Sequence, residues 1–200
     1  GFLKPETFWS AVRPFWGNTA CSLVNKLRFS RSQNDFIKSS IEPFPKIQYG
    51  YSALPKFNLL YAPSGFFELQ SLFPRENAIS AFMELLSVSS QFKSQPWICM
   101  IKRHKPDTSY LTFSGDGLSI AMNFSLKHLN SNLREKYCNK LFETIIKFNG
   151  KIYISKHAII PKSIFQKMYP DFKKIINLKN NYDPDFVFSS DATNRLLREN

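Results

Sequence analysis

The chain has 200 residues, 43% of them hydrophobic and 16% aromatic, including 20 Phe, and a formal net charge of +12. That apolar content supports one well-buried domain, or one domain with part of another, and excludes a disordered chain. No apolar run reaches the roughly 18 residues of a membrane-spanning helix. Lys4, Pro5 and Glu6 interrupt any signal-peptide core, so a cytoplasmic chain is expected, with its basic charge leaving a peripheral place at a membrane open. Cys21, Cys99 and Cys138 are odd in number and widely spaced, which fits neither a disulfide framework nor a zinc knuckle. The positive charge suits nucleic acid, anionic lipid or a phosphorylated ligand, but equally a set of solvated helix lysines such as Lys127, Lys136, Lys140 and Lys147. Charge alone selects none of these.

Residues 1–60 are rich in proline and aromatics, punctuated by Pro43, Pro45 and Pro55, and read as a long covering loop. Within them Ala20–Phe29 reads as a short helix or strand. From Gly65 the pattern sharpens. Gly65–Phe73 reads as a strand stopped by Pro74. Ala78, Ile79, Phe82, Leu85 and Leu86 recur at helical spacing, which predicts a helix over 75–89. Trp97–Lys102 reads as a strand, and Tyr110–Phe113 and Leu118–Leu126 as two more joined by an Asp116-Gly117 hairpin turn.

Leu129, Leu133, Tyr137, Leu141 and Ile145 form the stripe of the clearest helix, ended by Asn149-Gly150 with Gly150 suited to the left-handed position. Lys151–Ser155 reads as a strand, 161–169 as a helix opened by Pro161 and closed by Pro170, and Phe172, Ile175 and Ile176 as a last short helix. The sum is an α+β fold: an antiparallel sheet with helices packed on one face, followed by a C-terminal β-helix-helix segment.

Chemistry has few places to sit. On the strand 118–126, Leu118, Ile120, Met122, Phe124 and Leu126 point to the helices, and Ser119, Ala121, Asn123 and Ser125 point away. Such a face of short polar residues belongs either to a solvated sheet or to the floor of a ligand cleft. Phe66, Glu68, Gln70 and Leu72 form the mixed face of the preceding strand, and Lys102 adds a cation. The residues by themselves favour the solvated sheet. His104, His128 and His157 lack metal-ligand spacing, and no Ser/His/Asp or Cys/His arrangement has local support.

The run Gly150-Lys-Ile-Tyr-Ile-Ser-Lys156, then Phe165–Pro170, Tyr182–Asp191 and Arg195-Leu196, resembles the C-terminal end of the FAD-linked oxidase family, which includes decaprenylphosphoryl-ribose 2-oxidase and the sugar-lactone oxidases. The resemblance extends back through Tyr61–Phe66 to Asn25–Phe29 and is most specific at the C-terminal end. It implies an FAD-dependent oxidoreductase acting on a sugar CH–OH group, on a glycosyl phosphate or a sugar lactone or alditol. It also implies a substrate pocket lined by Glu68, Gln70, Lys102, Ser119, Ala121 and Asn123. Lys156 matches a lysine beside the flavin, where a cation steadies the reduced ring or a substrate oxyanion, so it carries both the catalytic and the cofactor-binding expectation. Tyr169 and Asp191 match recurrent positions and read as structural.

Three departures stand out. Glu68 replaces a neutral amide, Ala121 replaces a pocket cysteine, and His157 stands where the family has an acidic residue. Among only 7 glycines there is no Gly-rich pyrophosphate loop. The resemblance thus divides the chain into 1–150, part of a substrate-binding domain, and 151–200, which docks on a flavin-binding domain that this sequence lacks. FAD is then held mainly by that partner, in cis or as a separate chain, and the present chain reads as truncated or as one product of a split gene. The rival readings are a non-catalytic basic module and an inactive remnant. Nucleic acid is not expected, because no nucleic-acid-binding signature accompanies the charge.

Overall fold

A computed structural model describes residues 4–32, 39, 41–44, 55–157 and 159–198. The chain divides into two compact units: residues 1–66 with 125–127, and residues 67–124 with 128–200.

The first unit is helical where a covering loop is expected. Helix α1 (Pro5–Val12) opens with proline at its first turn, where the missing N–H costs nothing, and buries Trp9. The Trp9 indole donates to the Pro55 carbonyl at 2.8 Å, fastening α1 to the 3-10 helix Phe57–Tyr61, whose Leu60 and Tyr61 are buried. Helix α2 (Asn18–Ser32) contains the stretch read as a short helix or strand. It buries only Cys21 and leaves Leu23, Val24, Leu27 and Phe29 exposed. That one-residue buried face is why its periodicity is weak in the sequence: no gradient of burial shapes it, and local propensity in a segment free of Gly and Pro forms the helix. Pro45 lies outside the described residues.

The second unit is an α+β fold. Strands β1 (Phe66–Pro74), β2 (Ile98–His104), β3 (Gly117–Ser125) and β4 (Lys151–Ile152) form an antiparallel sheet in the order β2-β3-β1-β4. Helices α3 (Ala78–Gln91) and α4 (Ser131–Lys147) pack on each other and on one sheet face. Phe67 stacks on Phe124 at 4.9 Å, Phe124 meets Tyr137 edge-on at 5.5 Å, and Phe73 meets Phe82 at 5.8 Å. The Tyr137 hydroxyl, carried into this core, donates to Ser89 Oγ at 2.8 Å or the Ser94 carbonyl at 3.2 Å, which satisfies it without water. After β4 come α5 (Lys162–Met168), α6 (Phe172–Tyr182) and α7 (Asp191–Leu196). Among the described residues no helix is long and apolar enough to cross a membrane, and no group of His, Cys, Asp and Glu is arranged to hold a metal.

Two local expectations change. The Asp116-Gly117 pair does not make a two-residue hairpin: His104 pairs with Gly117, so residues 105–116 form the connection and Tyr110–Phe113 lies in that loop rather than in a strand. The loop closes on itself, with Ser109 N donating to Asp107 Oδ1 at 2.7 Å and Ser114 N to Thr112 Oγ1 at 2.9 Å. Gly117 is needed for a different reason. A Cβ there would lie 2.0 Å from the Phe73 carbonyl oxygen. At the end of α4 the left-handed residue is Asn149, with φ 55°, and not Gly150. Gly150 is required by packing, since a Cβ would meet the Phe73 ring at 2.5 Å and Ile145 Cγ2 at 2.9 Å.

Candidate functional site

The sheet face opposite α3 and α4 is polar, and the strand registers say which side chains share it. Lys102 pairs with Ser119, Met100 with Ala121 and Ile98 with Asn123, and partners across a ladder project to the same side. On β1 the alternation adds Glu68 and Gln70. Gln70 Nε2 donates to Ser119 Oγ at 3.5 Å, which joins the two strands on this face. The expectation of a solvated sheet fails here. Ser119 is 0% exposed, Gln70 4%, Asn123 6% and Ala121 8%. A buried floor of short polar residues is costly unless it is hydrogen-bonded.

Part of the cover is aromatic. Phe113, in the 105–116 loop, lies edge-on against His104 at 5.5 Å and tilted against Tyr153 at 4.9 Å. His104 is the residue sequence reasoning missed. Its Nε2 lies 2.8 Å from Ser119 Oγ. Gln70 donates to that same hydroxyl, and the direction of the Ser119–His104 hydrogen bond follows the imidazole tautomer. Burial, and next the charge of Lys102, hold the His104 pKa below its ordinary value, which favours the neutral ring. The signal was available in the sequence: His104 stands two residues after Lys102 on one strand and therefore faces the same way.

Lys156 reaches this face through backbone pairing. Ser71 pairs with Ile152 and Leu72 with Lys151, and Tyr153 N donates to the Gln70 carbonyl at 2.8 Å. The chain then tightens into a 3-10 turn over Ile154–Lys156, where the sequence alone predicts continued strand. The turn carries Lys156 Nζ to 2.5 Å from Glu68 Oε1, with the two side chains 31% and 26% exposed. Gln70 and Glu68 are alternate residues of β1, so the ion pair sits at one end of the buried polar floor. Lys102 is exposed on the edge strand β2, on the same face.

Behind Lys156 the next residue locks the turn. His157 is 4% exposed, packs edge-on against Phe142 of α4 at 5.2 Å, and its Nδ1 has no hydrogen-bond partner among the described residues. Burial, with a smaller contribution from the Arg195 charge, pushes its pKa down to about 4. Tyr169 and Asp191 fall into structural places. The Tyr169 hydroxyl donates to the Ile152 carbonyl at 2.6 Å in the core. Asp191 opens α7, but the cap is Ser190, whose Oγ accepts from Thr193 N at 3.2 Å.

The arrangement thus brings Gln70, Ser119, Ala121, Asn123 and Lys102 onto one face and adds an ion pair, Glu68–Lys156, at its rim. It presents one part-exposed ammonium, paired with a carboxylate, beside a buried polar face. Comparison with known proteins agrees with this reading of the fold's lineage. The chain is 23% identical over 160 residues to decaprenylphosphoryl-beta-D-ribose oxidase of Mycolicibacterium smegmatis, a match that covers 80% of the chain and 34% of the relative, so the chain spans about a third of that protein's length. The sequence model of the D-arabinono-1,4-lactone oxidase family matches residues 59–196, which include every residue of the site. The chain belongs to the D-arabinono-1,4-lactone oxidase family of oxidoreductases.

Proposed function

We propose that the chain is the substrate-side part of an FAD-dependent oxidoreductase that oxidises a sugar CH–OH group, acting with a flavin-binding domain in the same polypeptide or on a separate chain. The observation that carries this reading is the cation Lys156, delivered by the β4–β1 pairing to the rim of a buried polar floor. Bound flavin would accept the hydride from the substrate carbon. Gln70, Ser119 and Asn123 supply the hydrogen-bonding floor for the sugar, and Lys156 steadies negative charge at its rim.

The residues present fit one edge of a flavin rather than the whole dinucleotide. Gly117 and Gly150 are committed to close packing on Phe73, and Gly115 lies against Leu72. They therefore do not offer the backbone N–H cradle that a pyrophosphate requires. The missing cradle falls to the partner domain, and the exposed Tyr182 at the end of α6, with Val187 and Phe188 beyond it, is the apolar surface that 151–200 offers it.

The test is the visible spectrum of the full-length protein. A flavin band that bleaches on anaerobic addition of a polyol or sugar is the expected result. Absence of any flavin band after incubation with FAD refutes the reading.

A further inference from the structure

Glu68 and Lys156 lie 88 positions apart in sequence and touch at 2.5 Å. An ammonium at the rim of a ligand floor attracts phosphate, but a carboxylate at hydrogen-bonding distance cancels that attraction and adds repulsion of its own. A carboxylate is also acceptor-only, so its remaining lone pairs must be met by a donor. A ligand hydroxyl is such a donor, whereas a phosphate dianion brings only acceptors.

Resting on the reading of this face as a substrate floor, we propose that Glu68 is a specificity-determining residue that neutralises Lys156 and selects uncharged, hydroxyl-bearing ligands over phosphate-bearing ones. Lys102 does not change the selection at the rim. It is exposed on the edge strand, has no ion-pair partner among the described residues, and acts as a separate cation.

Inorganic phosphate is the probe, titrated into the full-length protein by calorimetry and followed at the Tyr153 and Lys156 amides by NMR. E68Q, close to isosteric, should bind phosphate about tenfold more tightly than wild type, the change expected when one like charge is removed from a part-exposed site. The gain should disappear in E68Q/K156M and survive in E68Q/K102M. Equal affinity in E68Q and wild type overturns the proposal, and so does a gain that persists without Lys156. Should E68Q fail to fold, E68A takes its place, with the same expected gain, the same loss of that gain in E68A/K156M and the same overturning result. Phosphate binding needs no flavin, so the oxidase reading and this one fail separately: the first on the missing flavin band, the second on the unchanged affinity.

Discussion

His157 should make this fold acid-sensitive well above the range in which carboxylates titrate. In the folded chain the ring is buried against Phe142, its Nδ1 is unpartnered, and its pKa lies at about 4. In the unfolded chain it returns to about 6.5. The folded pKa is the lower one, so the unfolded state binds more protons between the two values and stability rises with pH across that window. The contribution is fully present above about pH 6.5, erodes as pH falls, and levels off below about pH 4. A displacement of this size amounts to about 2 kcal/mol at pH 5 and about 3 kcal/mol at the plateau, from about 1.4 kcal/mol per pH unit. The assay is urea unfolding followed by far-UV circular dichroism at about pH 7.5 and about pH 5, on wild type and His157→Phe, which keeps an aromatic ring against Phe142 but cannot titrate. His104, whose pKa is also lowered, contributes in the same direction in both proteins and cancels in the comparison. Wild type should lose about 2 kcal/mol more than His157→Phe over that interval. Equal losses in the two proteins refute the reasoning and place a hydrogen-bonded or solvated His157 in the fold.

Gly117→Ala should be strongly destabilising, by about 3 kcal/mol or more, because its Cβ would lie 2.0 Å from the Phe73 carbonyl oxygen and rigid backbone must move; a melting temperature within a degree or so of wild type would show that β1 and β3 can part there without cost. Tyr169→Phe should lose about 1–2 kcal/mol, since the hydroxyl that donates to the Ile152 carbonyl is buried and its removal leaves that oxygen one donor poorer. The same variant should loosen the Glu68–Lys156 contact, visible as faster amide exchange at Tyr153 and Lys156, because Ile152 is one of the two residues that pair β4 with β1.

Which parts were legible follows from whether the controlling contact is local. The alternation of Leu118–Phe124 and the stripe Leu133–Ile145 state their buried faces directly, and β3 and α4 appear within two residues of the expected bounds. Asp116-Gly117 carries a strong local turn signal, yet the β2–β3 register places Gly117 inside the strand opposite His104. A glycine required by a neighbouring carbonyl reads in sequence like a glycine required by a turn. Gly150 repeats the ambiguity, since the Phe73 ring demands it while Asn149 takes the positive φ. The polar face was legible as a pattern, but its burial was not, because alternation says which side chains share a side and nothing about what covers them. The Glu68–Lys156 pair was beyond any local pattern. It depends on β4 pairing at the far edge of the sheet and on the 3-10 turn that replaces the expected strand.

The charge of the whole chain and the charge of the site are separate facts. The net charge of +12 comes from 27 Lys and Arg against 15 Asp and Glu. Much of it lies on exposed helix surface, where Lys140 meets Glu143 at 2.8 Å, Lys147 meets Glu84 at 2.6 Å and Lys174 meets Asp171 at 2.8 Å. Pairs this exposed contribute little to stability and are screened within about 10 Å at moderate salt. The cation that counts for the candidate chemistry is the half-buried one, and it is matched by a carboxylate brought from a different strand. A basic surface therefore gives no warrant for an anionic substrate here. The warrant has to come from the rim of the polar floor, where Glu68 opposes it.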